Sequence, residues 1–367
     1  MHYEELHTHR WAWVFAAAFE RLQEAFNTEN EDRKKALMCQ VVHGDLEKEI
    51  PEEVMPGVLM WLPYYRGVQG EMITRFQSIR NGYEGPINEK EIDKQSLESH
   101  RMFLDDVNAL CAQKGFLSPN QVTQLGDGGA IENYRIPGNW VEIYQSLRER
   151  TLAALEKSEL TIDILQEWML NVLRGLITYN YWLARQAFLS FQIIDAIGLP
   201  GFQKLIDDTK EDFGWRVSRE FFYHTMQRAG VDGQELYKMG RYAMFCDQIM
   251  VSGDREKPEG VIKARESILK NCELYQGIRT PAEYAGKSLD LIGPIVCDYC
   301  ENHGKKNAAI FTPPDQHPNY NRIESFGYGD TRCVFHSDFT EGDEDEMDRF
   351  MEAQEIVFGE EEYESWD

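Results

Sequence analysis

Residues 161–197 read TIDILQEWMLNVLRGLITYNYWLARQAFLSFQIIDAI and are the most apolar long stretch of the chain. Their apolar positions recur three and four residues apart, which is the period of an α-helix. Thr161 stands where an N-cap belongs, and Gly198-Leu199-Pro200-Gly201 marks the end of the pattern. The same period recurs on both sides of the stretch, so an all-α assembly is predicted from about residue 9 to residue 240.

Charged residues interrupt this stretch at five positions: Asp163, Glu167, Arg174, Arg185 and Asp195. Each charge would cost about 3 kcal/mol at the centre of a bilayer, so a buried helix of a soluble protein is predicted, with no membrane partner. The first residues lack the basic and apolar regions of a secretory signal. Seven cysteines are an odd number spread over a long chain, which is not a disulfide framework. We therefore expect a cytoplasmic protein with reduced thiols.

The composition excludes several classes of protein. Of the 367 residues, 42% are hydrophobic and 12% are aromatic, which is typical of a folded chain. Asp and Glu number 63 against 38 Lys and Arg, and the net charge of −25 would repel a phosphate backbone, so no nucleic-acid partner is expected. Residues 338–367 carry 13 of these net negative charges. This acidic tail is interpreted as a solvated C-terminus or as a segment that docks on a basic partner.

The pattern changes after about residue 239. Residues 245–251 and 261–269 predict a β-hairpin, although the second arm would also suit a helix face. Pro281 is predicted to open a helix that Gly293-Pro294 interrupts and that resumes to about His303. Further short strands are predicted at residues 308–311, 322–326 and 331–339.

The predicted fold class is therefore α+β, with a large all-α N-terminal portion followed by a small antiparallel-sheet α+β domain. The predicted units are a helical domain over residues 1–239, a small-molecule-binding domain over residues 240–340 and an acidic tail over residues 341–367.

The densest cluster of reactive side chains is Cys297-Asp298-Tyr299-Cys300-Glu301-Asn302-His303. On a helix, Cys297 would share a face with Cys300 and Glu301, and a thiolate nucleophile with acid and base groups nearby is one interpretation. A buried cysteine that acts only as a small apolar residue is the other. In the second cluster, residues 330–338, alternation along a strand places Cys333 and His336 on opposite faces.

A proline-rich loop lies between these clusters, over residues 312–320. It offers His317 as a general base and Asp315 as the residue that orients it, although a rigid surface turn explains the prolines equally well.

Metal and nucleotide signatures are weak or missing. Cys297-x-x-Cys300 followed by Cys333-x-x-His336 has a zinc-ribbon look, but the spacing is too long. A Glu-x-x-His pair occurs once, at Glu4 to His7, so a carboxylate-bridged iron site is unsupported. Dinucleotide, Walker A and Gly-x-Ser-x-Gly motifs are absent from the sequence. No metal ligand is predicted, and the cofactor is left open.

The C-terminal unit resembles the family typified by L-2-amino-thiazoline-4-carboxylic acid hydrolase. The resemblance covers about 100 of the 367 residues. It rests on the segment before Cys272, on the helix reaching residues 295–300 and on the closing GYGDTRCVF of residues 327–335. It implies a cytoplasmic enzyme that opens a C–N bond, with Cys333 as the family's late cysteine and Cys297 and Asp298 as its helix-borne polar pair. Because Cys300 and His336 depart from that pattern, a metal-assisted variant using Cys297, His303 or His336 stays open.

The sequence thus favours a hydrolase that opens a C–N bond of a small cyclic amidine-like or related ring substrate, in a cysteine-containing pocket. The alternatives are a non-catalytic small-molecule-binding or sensory domain with a helical dimerisation module, and a metal-dependent lyase or oxygenase. The partners expected are a small-molecule substrate and a second copy of the chain in a homodimer. The candidate catalytic residues are Cys297, Asp298, Cys333 and His317. The candidate substrate-binding residues are Tyr299, Asp315, Arg332, His336, Tyr181 and Trp182.

Overall fold

The computed structural model describes residues 10–44, 57–115, 139–223, 228–231, 248–251, 264–269, 272–291, 293–311, 318–339, 348, 351–352 and 355. The helices described before residue 240 are α1 (Arg10–Asn27), α2 (Glu31–His43), α3 (Trp61–Gly82), α4 (Glu89–Lys114), α5 (Trp140–Glu156) and α6 (Ile162–Phe222), with a short 3-10 turn at Val58–Met60. Among the described helices, none combines the length and apolarity needed to cross a bilayer.

Helix α6 contains the stretch that organises the fold. The Thr161 hydroxyl accepts a hydrogen bond from the Ile164 N–H at 3.4 Å, which confirms the predicted N-cap. The backbone leaves helical geometry at Gly198, where φ is 74° and ψ is 164°. Residues other than glycine rarely adopt this conformation, so the predicted interruption falls at the residue that permits it.

Helix α3 packs along both halves of α6, before and after the break. A Cβ atom at Gly175 would lie 2.9 Å from the Cβ atom of Tyr65, and one at Gly67 would lie 2.0 Å from the Phe221 ring. Glycine at these two positions lets the helices approach closely. The start of α3 therefore lies beside both halves of α6.

The elements described after residue 240 form the sheet and the helices that carry the candidate site. They are β1 (Gln248–Val251), β2 (Ala264–Leu269), α7 (Glu273–Ala285), a π-helical turn (Pro294–Asp298), α8 (Tyr299–Phe311), β3 (Pro318–Glu324) and β4 (Cys333–Phe339), with 3-10 turns at Leu289–Leu291 and Phe326–Tyr328.

The sheet has the strand order β1-β2-β4-β3, and every neighbouring pair is antiparallel. Strands β1 and β2 pair from Gln248 with Leu269 to Val251 with Glu266, so the predicted hairpin is confirmed with its second arm as a strand. The register between β3 and β4 shifts between Arg322 and Glu324, which is the signature of a β-bulge.

Three predicted boundaries in this part of the chain are wrong. Helix α7 ends at Ala285, before the predicted interruption at Gly293-Pro294, because Gly286 takes a left-handed conformation with φ of 61°. Helix α7 begins at Glu273, eight residues before Pro281, because the Cys272 side chain caps it by accepting the Tyr275 N–H at 3.4 Å. Residues 308–311 are the end of α8 and not a strand. Their four apolar residues fit either structure, since so short a run carries no period.

The hydrophobic core is shared by the long helices and the C-terminal elements. Phe15, Trp168 and Phe202 belong to the same buried cluster as Ile278 and Tyr299. The described chain is thus mostly helical with one small antiparallel sheet.

The predicted boundary between residues 239 and 240 lies outside the described residues, as does most of the predicted tail. Within the described part of the tail, the Glu352 carboxylate pairs with Arg219 at 2.8 Å.

Candidate functional site

The candidate site is built on the π-helical turn that carries Cys297 and Asp298. Arg75 of α3 donates through Nη1 to the carbonyl oxygens of Ile295 at 3.4 Å and Val296 at 3.2 Å. Gln186 of α6 donates through Nε2 to the Ile295 oxygen at 3.2 Å. Buried carbonyls need donors, and these side chains supply them from two long helices. The turn is therefore fixed to the helical body.

The charge of Arg75 is balanced beneath the turn. Arg75 is fully buried and forms an ion pair with Glu71, whose other oxygen lies 3.1 Å from His303 Nδ1. Burial alone would raise the pKa of Glu71, but the charges and hydrogen bonds of His303 and Arg75 prevail and lower it to about 2. His303, a predicted acid, base or ligand, is thus held by a carboxylate of α3.

A glycine contact brings the turn at residues 325–329 against the π-helical turn. A Cβ atom at Gly293 would lie 2.1 Å from the Gly327 oxygen. One at Gly327 would lie 2.6 Å from both Cys297 Sγ and the Gly293 Cα atom. Side chains at either position would push the two segments apart, so the close approach requires glycine.

Cys297 is buried within this contact. The Ser325 hydroxyl donates to Cys297 Sγ at 2.7 Å. Burial raises the pKa of the Cys297 thiol, while the Ser325 hydrogen bond, the charge of Arg322 and the Gly327 N–H act in the opposite direction. Burial, together with the charge of Asp298, outweighs these three neighbours, so the pKa of Cys297 stays above its usual value. The Phe326 N–H, the Ser325 hydroxyl and the charge of Arg322 act on Cys333 in the same way.

Three further thiols lie around Cys297. Cys333 is buried, and half-buried Cys300 packs against it together with Phe326. Burial raises the pKa of Cys333 to about 11 and that of Cys300 to about 12, and it raises the pKa of Cys272 well above its usual range. All are protonated at neutral pH, and each lies near enough for its negative charge to disfavour ionisation of another.

Asp298 points to a different set of partners. Its Oδ1 accepts from Arg322 Nη2 at 2.8 Å and from the Tyr328 hydroxyl at 2.7 Å, while its Oδ2 accepts from Gln203 Nε2 at 2.8 Å. Arg322 also lies 3.6 Å from Glu301 and 4.9 Å above the Tyr328 ring. Among the described residues, its Nη1 is buried and meets no hydrogen-bond partner. This cation therefore keeps one donor for a ligand.

The remaining predicted site residues are dispersed. Tyr299 is fully buried, with its hydroxyl 2.7 Å from Thr209 Oγ1, and burial raises its pKa to about 12. Arg332 is exposed and pairs with Glu324 at 2.6 and 2.8 Å on the surface. These contacts do not direct either side chain to Cys297.

Five predicted site residues remain, and two of them are aromatic residues of α6. Tyr181 and Trp182 are core residues of α6, and their rings lie 5.9 Å from the His100 ring and 5.7 Å from the Phe76 ring. His336 pairs through its backbone with Glu266 and Asn321, and its side chain lies outside the described set, as do Asp315 and His317.

Sequence reasoning missed the residues that surround the two predicted ones: Arg75, Gln186, Gln203, Arg322, Ser325 and Tyr328. Ser325 and Tyr328 had a signal, because they flank the glycines of SFGYG. Gln203 had none, since it lies 95 positions from Asp298 and on a different helix. Within the described ranges, no three His, Cys, Asp or Glu side chains come together as ligands for a metal ion.

No family model, curated protein or solved structure matches the chain.

Proposed function

We propose that the protein is a hydrolase that opens a C–N bond of a small cyclic amidine-like ring, with Cys297 as the nucleophile. The observation that carries the proposal is the hydrogen bond from the Ser325 hydroxyl to Cys297 Sγ, at 2.7 Å, with the charge of Arg322 acting on the same thiol. Hydrogen bonds and a nearby cation are what lower the pKa of a reactive thiol. The resemblance of about 100 residues of the C-terminal unit to the family typified by L-2-amino-thiazoline-4-carboxylic acid hydrolase supports the same reaction class.

The unpartnered Nη1 of Arg322 is the binding group of the proposal. A guanidinium nitrogen binds carboxylates through charge-assisted hydrogen bonds. Tyr275 and Phe326 stack nearby with ring centroids 5.8 Å apart and offer an apolar wall for the ring of the substrate. The substrate class is therefore a small planar ring that bears a carboxylate.

The reaction requires no separate base, because a cyclic amidine nitrogen is itself basic. Cys297 Sγ forms a bond to the amidine carbon while the thiol proton passes to the imine nitrogen. The ring C–N bond then breaks. The leaving ring nitrogen takes a proton from the exocyclic amino group, which formed when the imine nitrogen was protonated, and a thioimidate remains on Cys297. Water adds to the thioimidate, the C–S bond breaks, and an amide and the free thiol result. Tyr328 and Asp298 hold Arg322, which orients the substrate.

The proposal places this reaction in the cytoplasm, where reducing conditions keep thiols free. Among the described residues, the thiols of Cys39, Cys111, Cys297, Cys300 and Cys333 are in no disulfide.

The test is turnover of 2-amino-thiazoline-4-carboxylate and related cyclic amidines, followed by mass spectrometry of the opened product. The variants are Cys297→Ser and Cys333→Ala, and the matched control is Cys39→Ser, which alters an exposed cysteine of α2. Loss of turnover in Cys297→Ser alone, with an unchanged circular dichroism spectrum and a trapped adduct on Cys297 in the wild type, supports the proposal. Unchanged turnover in Cys297→Ser would exclude Cys297 as the nucleophile.

A second candidate is a non-catalytic domain that binds the same ligands, with the helical portion as a dimerisation module. It is favoured by the burial that keeps Cys272, Cys300 and Cys333 protonated. This candidate predicts that the amidines raise the melting temperature and are recovered unchanged after days, and that Arg322→Gln abolishes the shift. Any product formed by the wild type decides for the hydrolase.

A further inference from the structure

Arg66 is a buried cation of α3 without a carboxylate. Only 3% of its surface is exposed, and its Nη1 donates to Gln69 Oε1 at 3.0 Å. No carboxylate of the described chain pairs with it. Removing a charge from water without a counterion is strongly unfavourable, so such a residue requires an explanation.

Other buried arginines of the described chain do not share this property. Each has an acidic partner: Arg75 with Glu71 and Arg185 with Asp93. The half-buried Arg322 also pairs, with Asp298. The protein thus pairs its buried guanidinium groups as a rule, and Arg66 departs from that rule.

The polar atoms around Arg66 are donors that lack acceptors. Arg66 Nε and Gln69 Nε2 are both buried and have no hydrogen-bond partner among the described residues. Arg174 of α6 lies on the neighbouring helix, because a Cβ atom at Gly175 would be 2.9 Å from the Cβ atom of Tyr65, the residue before Arg66. Burial, with the charge of Arg174 as a smaller cause, lowers the pKa of Arg66 to about 10, so Arg66 is charged at neutral pH. Two like charges and two vacant donors together favour a negatively charged acceptor.

We propose that Arg66, Gln69 and Arg174 form a binding site for a small oxyanion, either a phosphate group or a carboxylate group. Arg66 and Gln69 supply the buried donors. Arg174, which is exposed, supplies the second charge and the side open to solvent. The site is distinct from the one at Cys297, because Arg66 precedes Arg75 by nine residues of helix, or about 13.5 Å at about 1.5 Å per residue.

The probes are inorganic phosphate and acetate, each compared with sodium chloride at the same ionic strength. Melting temperature and isothermal titration calorimetry report binding to the full-length protein. Phosphate or acetate is expected to raise the melting temperature of the wild type above the chloride value, since a ligand that binds only the folded state stabilises it. A response to phosphate alone assigns a phosphate-bearing ligand, and a response to acetate alone assigns a carboxylate.

Two variants and a control test the residues. Arg66→Met is expected to abolish the response and to melt no lower than the wild type in chloride, because it removes an unpaired charge. Arg174→Gln, on the exposed side, is expected to weaken the affinity about tenfold, the usual effect of one charge-assisted contact. Arg101→Gln, which removes an exposed charge of α4, should respond like the wild type.

Several results would overturn the proposal. They are the lack of any oxyanion-specific shift in the wild type, a wild-type response in either Arg66→Met or Arg174→Gln, and a large fall in the melting temperature of Arg66→Met in chloride, which would show that Arg66 already has a structural partner.

Discussion

Replacing Arg75 by methionine tests how the helical body holds the π-helical turn. Arg75 is fully buried, forms an ion pair with Glu71 and donates to the carbonyl oxygens of Ile295 and Val296. Methionine has a similar length and apolar character but no donor. Among the described residues, the change leaves Glu71 with His303 as its charge partner, and Val296 loses the Arg75 donor.

The expected loss of stability follows from these contacts. Removing one partner of a buried ion pair costs about 3–5 kcal/mol, because the other charge stays buried. The Val296 carbonyl keeps the Tyr299 N–H and the Ile295 carbonyl keeps Gln186, so loss of the Arg75 hydrogen bonds adds about 1 kcal/mol. We therefore expect Arg75→Met to lower the free energy of unfolding by about 5 kcal/mol. A typical domain has a total of about 5–15 kcal/mol, so the variant should be close to unfolding.

Urea unfolding followed by circular dichroism measures this loss as a lower midpoint at an unchanged slope. The matched control is Arg33→Met, which breaks an exposed ion pair with Glu24 and should cost less than about 1 kcal/mol. The double variant Arg75→Met/Glu71→Leu removes both charges of the buried ion pair. Part of the lost free energy of unfolding should therefore be recovered. Equal losses of unfolding free energy in Arg75→Met and Arg33→Met would refute the argument. A double variant that is less stable than Arg75→Met would do so as well.

Three further predictions concern single residues. The pKa of Glu71 is lowered from 4.5 to about 2, so its contribution to stability is complete above pH 4.5 and is lost as the pH falls towards 2. In Glu71→Gln the urea midpoint should therefore depend less on pH over that range, and a pH profile equal to that of the wild type would contradict this. Cys39 is exposed, whereas burial raises the pKa of Cys111 to about 11, so iodoacetamide and peptide mapping at pH 8 should label Cys39 in the native protein and Cys111 only in urea. Gly198→Ala should lower the stability by about 1–3 kcal/mol because φ is 74° and ψ is 164° there, and a melting temperature equal to that of the wild type would disprove the strain.

The long helix and its interruption were predictable because both signals are local. The period of residues 161–197 comes from neighbouring turns of one helix, and Gly198 breaks it through its own backbone. The start of α7 was missed for a related reason. Its cap is the thiol of Cys272, and sequence rules expect an oxygen at that position.

The partners of the candidate residues were not predictable, since they come from distant parts of the chain. Gln203 reaches Asp298 from beyond the break in α6, and Arg75 reaches Val296 from α3. A hydrogen bond between such positions leaves no period and no spacing in the sequence. Arg322 stands alone in β3 among residues that form no motif with it.

The glycine-rich turn at residues 325–329 contacts both Cys297 and Asp298. Cys297 and Asp298 are adjacent, yet adjacent residues of a helix project in different directions, and their contacts differ accordingly. Ser325 contacts Cys297 and Tyr328 contacts Asp298, so a single turn engages both. That is possible only where the turn lies against the π-helical backbone, and glycine at residue 327 removes the side chain that would separate them. Glycine at residue 327 therefore has a packing cause, and the same packing brings the thiol and the carboxylate into one candidate site.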